Sequence, residues 1–183
     1  MPPEIKVTKE RIAETAYQMS REKGFEHVTA RKLAAELGCS TQPIFRSYKN
    51  MDMLKSDIND MANRAFGEIL SSSFSSREPL FAIAFNYVEF AMKEKNLFKM
   101  MFMEESSEGN TFTDLFESEE LDDILMRMND LEEFSLVERR LLFMQTWIFA
   151  HGMASMVVTG DLRLDEKDIA DMVRATLGQL MRM

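Results

Sequence analysis

The 183-residue sequence is poor in the residues that break or cross-link a chain, with one cysteine, seven glycines and four prolines. A single cysteine excludes an intramolecular disulfide, and Cys39 with only two histidines, His27 and His151, cannot form a zinc cage. The first residues lack the apolar core of a signal peptide, and no uninterrupted apolar run reaches the ~18 residues of a membrane span. We therefore expect a cytoplasmic protein without metal or cofactor.

The abundant residues favour helices. Leu, Met, Ala, Glu and Lys are frequent, and neither a hairpin signal nor strand-like alternation occurs along the chain. The sequence therefore predicts an all-α fold. Residues 104–113, which include serines, a glycine and an asparagine, are predicted to form a loop.

Charge is divided unequally along the chain. The formal total is −9, which argues against a nucleic-acid partner because phosphate binding requires Lys and Arg. Residues 1–54, however, carry 9 basic and 7 acidic residues, and residues 55–183 carry 13 and 24. No acidic residue occurs between Glu36 and Asp52. The acidity thus belongs to the C-terminal part and leaves room for a basic face on the N-terminal part.

The first 50 residues predict three short helices. Thr8 is suited to cap a first helix, which Gly24 ends in a left-handed conformation. Thr29 caps a second helix that Gly38 ends, and after a three-residue turn Ser40 is predicted to cap a third. A helix ended by glycine, a short turn and a second capped helix form the arrangement that places a recognition helix in the DNA major groove.

The third helix is predicted to have one polar, cationic face. At ~100° per residue, Gln42, Arg46 and Lys49 fall in one stripe. Ile44 and Tyr48 point away from that stripe. Because Gln can bond adenine and Arg guanine in a bidentate manner, Gln42 and Arg46 are candidate base readers.

Three further residues add to this interface. Thr41 stands beside the stripe near the start of the third helix. Arg31 and Lys32 fall in the first turn of the second helix, where cations oppose the helix dipole unless an anion lies nearby. A phosphate would supply that anion, whereas solvated surface charge is the alternative interpretation.

The N-terminal stretch also carries a longer pattern, formed by Thr8, Arg11, Ile12, Ala16, Gly24, Phe25, Val28, Thr29, Leu33, Ala34, Leu37, Gly38, Ser40, Ile44, Phe45 and Tyr48. This pattern resembles the DNA-binding domain of TetR-type transcriptional repressors. The resemblance implies a three-helix DNA-binding domain, here residues 1–54, joined to a larger helical domain, residues 55–183, that dimerises and binds a small effector. In that family, the effector releases the protein from its operator.

The resemblance also implies roles for individual residues. Thr29 would bond a phosphate, Thr41 and Pro43 would face base edges beside Gln42, and Phe45 would lie with Lys49 against the backbone. This chain has Phe45 where the family commonly has Tyr, which predicts weaker binding with a strong salt dependence. The predicted DNA-contacting residues are, together, Thr29, Arg31, Lys32, Thr41, Gln42, Pro43, Phe45, Arg46, Tyr48 and Lys49.

The last two predicted helices suggest a dimer. Residues 136–158 are nearly all apolar, which predicts burial on most sides, and Asp165 caps a final helix with an apolar stripe. Two such helices from each of two subunits would form a four-helix bundle around a twofold axis. We therefore expect a homodimer through the last two helices, as reading a near-palindromic operator requires.

Aromatic residues indicate where an effector would bind. Trp147 with His151 and Gly152 resembles one C-terminal subgroup of the TetR family named for these residues. The candidate ligand-binding residues are Phe85, Phe102, Phe143, Trp147 and His151. A structural Trp and a core His are the alternative interpretation.

Three functions are compatible with the sequence. The first is a repressor released from its operator by a small, largely apolar effector. The second is a DNA-binding dimer without such an effector. The third, a helical enzyme using His151 or Cys39, is disfavoured because neither histidine has a carboxylate at the helical spacing of metalloenzymes. We therefore expect a DNA-binding protein that is not an enzyme.

Overall fold

The computed structural model describes residues 7–104 and 118–182. Within these ranges the chain forms α-helices and two short 3₁₀ helices, Phe25–His27 and Asn129–Leu131, and no strand, as the sequence predicts. Beyond its first residue, the predicted loop 104–113 lies outside these ranges. The α-helices are α1 Lys9–Lys23, α2 Ala30–Leu37, α3 Gln42–Ser47, α4 Met51–Ser73, α5 Pro79–Lys93, α6 Lys95–Phe102, α7 Glu119–Met126, α8 Leu136–Thr159 and α9 Glu166–Leu180.

The chain divides into two compact units. The first comprises residues 1–65 together with 94–104, so it holds α1 to α3, most of α4 and all of α6. Leu54 and Ile58 of α4 and Phe98 of α6 are completely buried in it. The unit therefore extends beyond the predicted DNA-binding segment 1–54, because α6 returns to pack against α1.

Local capping sets the helix limits in the first unit. The Thr8 side chain accepts a hydrogen bond from the Arg11 N–H at 3.2 Å, and the Thr29 side chain accepts one from the Lys32 N–H at 3.3 Å. Gly24 ends α1 with φ 88° and ψ 147°, so its φ is positive but its conformation is not the left-handed helical one that the sequence predicts. A residue with a Cβ would be strained at this φ, so the end of α1 favours glycine.

The second unit comprises residues 66–93 and 105–183. Its helix α5 packs against α8 and α9. The side chain of Ser135 caps α8 and that of Asp165 caps α9, each in a reciprocal capping box with the residue three positions on. The predicted cap at Asp165 is confirmed.

Among the described residues one helix, α8, is long and apolar enough to cross a membrane. It packs against α5 and α9, and Ala150, Ala154 and Val157 on it are buried. These contacts are those of the core helix of a globular unit. Within one chain, however, one side of α8 is uncovered, since Val137 is 77% exposed and Ile148 60% exposed.

Candidate nucleic-acid interface

Helices α2 and α3 form the helix-turn-helix. Gly38 ends α2 in the left-handed conformation, with φ 67° and ψ 33°. The N–H groups of Gly38 and Cys39 then donate to the carbonyls of Ala35 and Ala34 at 3.1 and 2.9 Å, which satisfies the end of α2. Residues 38–41 form the turn, and α3 begins at Gln42. The chain thus reverses over four residues because glycine permits the sharp helix end.

The predicted cap of α3 is wrong. Thr41, not Ser40, stands at the N-cap of α3, and no side chain caps this helix. If Ser40 were the N-cap, Pro43 would be the third helical residue, and proline has no N–H to donate to a serine hydroxyl. The first backbone bond of the helix instead runs from the Phe45 N–H to the Thr41 carbonyl at 3.2 Å.

The exposed side chains of α3 include the predicted base readers. Gln42 and Arg46 are both exposed, while Ile44 is completely buried. Phe45 is 53% exposed beside them, and Thr41 and Pro43 are partly exposed. A side chain that reads a base edge must reach into the groove, so this face of α3 presents the residues that direct readout requires.

Lys49 and Tyr48 differ from their predicted positions. Lys49 is exposed, but it lies two residues beyond the end of α3, so helical spacing does not place it on the stripe. Tyr48 is only 1% exposed, and its hydroxyl donates to Asp57 Oδ2 at 2.8 Å. Tyr48 therefore belongs to the core that supports α3, which corrects its assignment among the residues that contact DNA.

A small polar network anchors the end of α3 to α4. Lys9 forms an ion pair with Asp57 Oδ2 at 2.8 Å, and its ammonium group lies 5.0 Å from the centre of the Tyr48 ring. The hydrogen bond from Lys9 holds the pKa of Asp57 below its usual range, and burial raises the pKa of Tyr48. Sequence reasoning missed Lys9 and Asp57, although the hydroxyl of a buried tyrosine signals that a partner exists.

The N-terminus of α2 is the second part of the interface. Thr29 at the N-cap is exposed, and so are Arg31 and Lys32 in the first turn, which has no acidic residue. The positive end of the helix dipole is thus reinforced by two cations. Such a helix end is suited to a phosphate.

The described carboxylates of the first unit neutralise other cations. Arg21 bonds Glu94 with two guanidinium nitrogens, and Lys55 bonds Glu104. The helix-turn-helix differs, because no described carboxylate lies within 4.0 Å of its four basic side chains. These are Arg31, Lys32, Arg46 and Lys49. The basic groups of the helix-turn-helix therefore remain available to an external anion.

Three of the candidate effector residues lie along α8. The ring centroids of Phe143 and Trp147 are 6.0 Å apart, and Tyr87 of α5 lies 4.7 Å from Trp147. The Tyr87 hydroxyl is 2.8 Å from His151 Nδ1. Burial lowers the pKa of His151 and raises that of Tyr87. Tyr87, which the sequence did not single out as a candidate, thus connects Trp147 and His151.

The two remaining candidates are placed differently. Phe85 of α5 stacks on Phe81, with ring centroids 5.8 Å apart and planes inclined by 20°. Phe102 lies on α6 in the first unit, where its ring is 5.0 Å from that of Phe98. In residues 7–104 and 118–182 no group of three or more His, Cys, Asp or Glu side chains is arranged to hold a metal ion.

An all-helical chain with an exposed recognition face on a helix-turn-helix belongs to the class of helical DNA-binding regulators. A family model described as the C-terminal domain of tetracyclin repressor-like proteins matches residues 80–180, more than half of the chain, including Trp147, His151 and Gly152. The chain therefore belongs to the TetR family of DNA-binding transcriptional regulators, a family without enzymatic activity. The helical-enzyme alternative is thereby excluded.

Solved structures share this fold. A TetR-like regulator from Rhodococcus sp. RHA1 aligns with a TM-score of 0.67 at 15% identity, covering 95% of this chain and 96% of that one. A TetR variant from Acinetobacter baumannii AYE in complex with minocycline aligns with a TM-score of 0.62 at 14% identity, covering 97% and 96%. AibR in complex with isovaleryl coenzyme A and operator DNA aligns with a TM-score of 0.59 at 18% identity, covering 90% and 95%. No curated protein sequence matches the chain.

Proposed function

We propose that this regulator is a cytoplasmic homodimeric repressor that a small, largely apolar effector releases from its operator. The observation that carries the proposal is the exposed pair Gln42 and Arg46 on α3, held over the buried Ile44. In this proposal all DNA-contacting residues lie within residues 1–54. Effector binding and dimerisation belong to residues 55–183.

Selection of bound sequences from random duplex DNA tests operator recognition. We expect enrichment of one near-palindromic site, because two recognition helices of a dimer read two equivalent half-sites. AibR, a protein of the same fold, is described in complex with operator DNA. Recovery of no enriched site would count against sequence-specific recognition by this chain.

An apolar stripe on α8 supports the dimer. Four apolar side chains that are 47–77% exposed recur on one side of the helix: Val137, Leu141, Ile148 and Met156. Gly152 lies on the same side, and a Cβ added there would meet nothing within 4 Å. Met172 on α9 adds an apolar side chain that is 39% exposed. A second copy of the chain is the partner that this stripe would bury, since one chain leaves it in water.

The substitution Ile148→Asp tests this interface. Burying a carboxylate in an apolar helix bundle is strongly unfavourable, so we expect a monomer by light scattering at micromolar concentration, where the wild type is a dimer. Met126→Asp is the matched control, because Met126 is 58% exposed on α7, outside the stripe. A monomeric wild type, or a dimer that Ile148→Asp leaves intact, would contradict the proposed interface.

The aromatic cluster around Trp147 supports an effector site in the second unit. Trp147 and His151 are only partly buried, and aromatic side chains are the usual lining of sites for apolar ligands. The TetR variant that shares this fold is described with minocycline bound. Because Trp147 is the one tryptophan of the sequence, ligand binding beside it should change the fluorescence of the whole protein.

Thermal-shift screening of small hydrophobic and cationic compounds, followed by operator-release measurements, tests the effector. We expect at least one compound to raise the melting temperature, change Trp147 fluorescence and lower affinity for the operator. The second candidate function, a DNA-binding dimer without effector, is favoured by the bond between Tyr87 and His151, which already satisfies polar groups of the cluster. Stabilisation by no compound would support that second candidate.

A further inference from the structure

A cleft of about 260 Å³ lies between α1 and α2 in the first unit. Three basic side chains line it, one from each of three consecutive elements: the last turn of α1, the 3₁₀ helix and the first turn of α2. The lining residues are Met19, Lys23, His27, Lys32, Ala35 and Glu36.

Two ammonium groups and one carboxylate, that of Glu36, line the cleft, so a net positive charge remains. Lys23 and Lys32 form no ion pair with a described residue, and Glu36 pairs with none of the described basic groups. His27 Nε2 lies 3.9 Å from a Glu26 oxygen. The positive end of the α2 dipole adds to the charge of Lys32. The remaining positive charge would attract an external anion.

We propose that this cleft holds a phosphate of the DNA backbone, with Lys23 and Lys32 as its cationic contacts. The inference rests on the proposed DNA binding and extends the interface to α1, which the sequence did not assign to it. A DNA phosphate is favoured over a free anion because Lys32 also belongs to the α2 N-terminus, where its N–H donates to the exposed Thr29 cap. The cleft therefore adjoins the helix end that would meet the backbone.

The salt dependence of DNA binding tests the cleft in the full-length chain. Each neutralised phosphate contributes about −0.9 to the slope of log affinity against log salt. Because Lys32 stays in place, Lys23→Gln should reduce the magnitude of the slope by at most about 0.9. The reduction should be the same on the selected operator and on random duplex DNA, because a phosphate contact carries no sequence information. Lys95→Gln is the control, since Lys95 is an exposed lysine of the same unit without a described ion pair.

Neutral methylphosphonate substitutions locate the contact. Replacing phosphates one at a time in the selected operator should weaken binding of the wild type at one flanking position. At that position Lys23→Gln should show a smaller further loss, because only Lys32 still faces the phosphate. Thermal melts of the variants establish that both are folded. A wild type that binds no duplex would refute the proposed function itself. If the wild type binds and Lys23→Gln shows the wild-type slope and the wild-type methylphosphonate pattern, only the cleft inference is overturned.

Titrating the protein with inorganic phosphate distinguishes a free anion in the cleft from a DNA phosphate. The assignment of the cleft to DNA would be overturned by two results together. Phosphate would raise the melting temperature of the wild type but not of Lys23→Gln, and Lys23→Gln would keep the wild-type salt slope for DNA binding. A salt slope that is reduced in Lys23→Gln and unchanged in Lys95→Gln would support the assignment of the cleft to DNA.

Discussion

The buried hydroxyl of Tyr48 should stabilise the support of the recognition helix. Tyr48→Phe deletes a donor that bonds Asp57 Oδ2 at 2.8 Å and leaves the buried ring in place. A hydrogen bond to a charged group contributes about 1.5–3 kcal/mol. Because the Asp57 side chain is 35% exposed and keeps Lys9 as a partner, we expect a loss of about 1–2 kcal/mol in the free energy of unfolding.

A double-mutant cycle isolates this contribution. Urea unfolding of the wild type, Tyr48→Phe, Asp57→Asn and the double variant should give a coupling free energy of about 1 kcal/mol at neutral pH. The pKa of Asp57 is held low mainly by the hydrogen bond from Lys9, so its carboxylate stabilises the folded state above the unfolded pKa, about 3.9. This stabilisation is lost as the pH falls through the lower folded pKa, and the coupling should shrink with it.

Tyr17→Phe is the control for the cycle, because the Tyr17 hydroxyl forms no hydrogen bond with a described residue, and its pKa is raised mainly by burial. We expect it to leave stability nearly unchanged. A Tyr48→Phe variant that unfolds like the wild type, shows no coupling to Asp57 and yet binds DNA more weakly would contradict a supporting role of the hydroxyl. That result would return Tyr48 to the residues that contact DNA.

Two further variants test the interface and the second unit. Arg46→Ala should weaken binding to the selected operator by about 1–3 kcal/mol and affect random duplex DNA much less, and equal losses on both in competition assays would assign Arg46 to a phosphate. Asp130 accepts a bond from the Leu80 N–H at 2.9 Å, but its Oδ1 is buried without a described partner, and burial raises its pKa. The folded wild type therefore holds this proton to a higher pH than the unfolded chain and loses stability as the pH rises from about 4. Asp130→Asn removes that loss, so its free energy of unfolding relative to the wild type should increase between pH 4 and pH 7. A difference that does not change with pH would contradict a raised pKa of Asp130.

Local signals in the sequence predicted the helix limits well. Thr8, Thr29 and Gly38 act as predicted because a cap depends on atoms within three or four residues of it. The wrong cap at Ser40 had a local cause that was also readable from the sequence, since Pro43 three residues later cannot donate. The exposed positions of Gln42 and Arg46 followed from helical spacing alone.

Long-range packing could not be predicted in the same way. Residues 94–104 join the first unit because Leu97 and Phe98 are buried there, and the Arg21 guanidinium bonds Glu94. Nothing in the periodicity of α6 indicates which unit buries its apolar side. Tyr48 is a second case, since its partner Asp57 lies nine residues further along the chain, on α4.

The net charge of −9 does not describe the surface that a DNA phosphate would meet. In the first unit, described carboxylates neutralise Lys9, Arg21 and Lys55, which all lie outside the helix-turn-helix. Arg46 on α3 has no described carboxylate within 4.0 Å, although the chain is rich in acid. An arginine held in an ion pair would have to break that pair before it could bond a base, and this would offset part of the binding energy. The placement of the acidic residues therefore favours DNA binding even though their number does not.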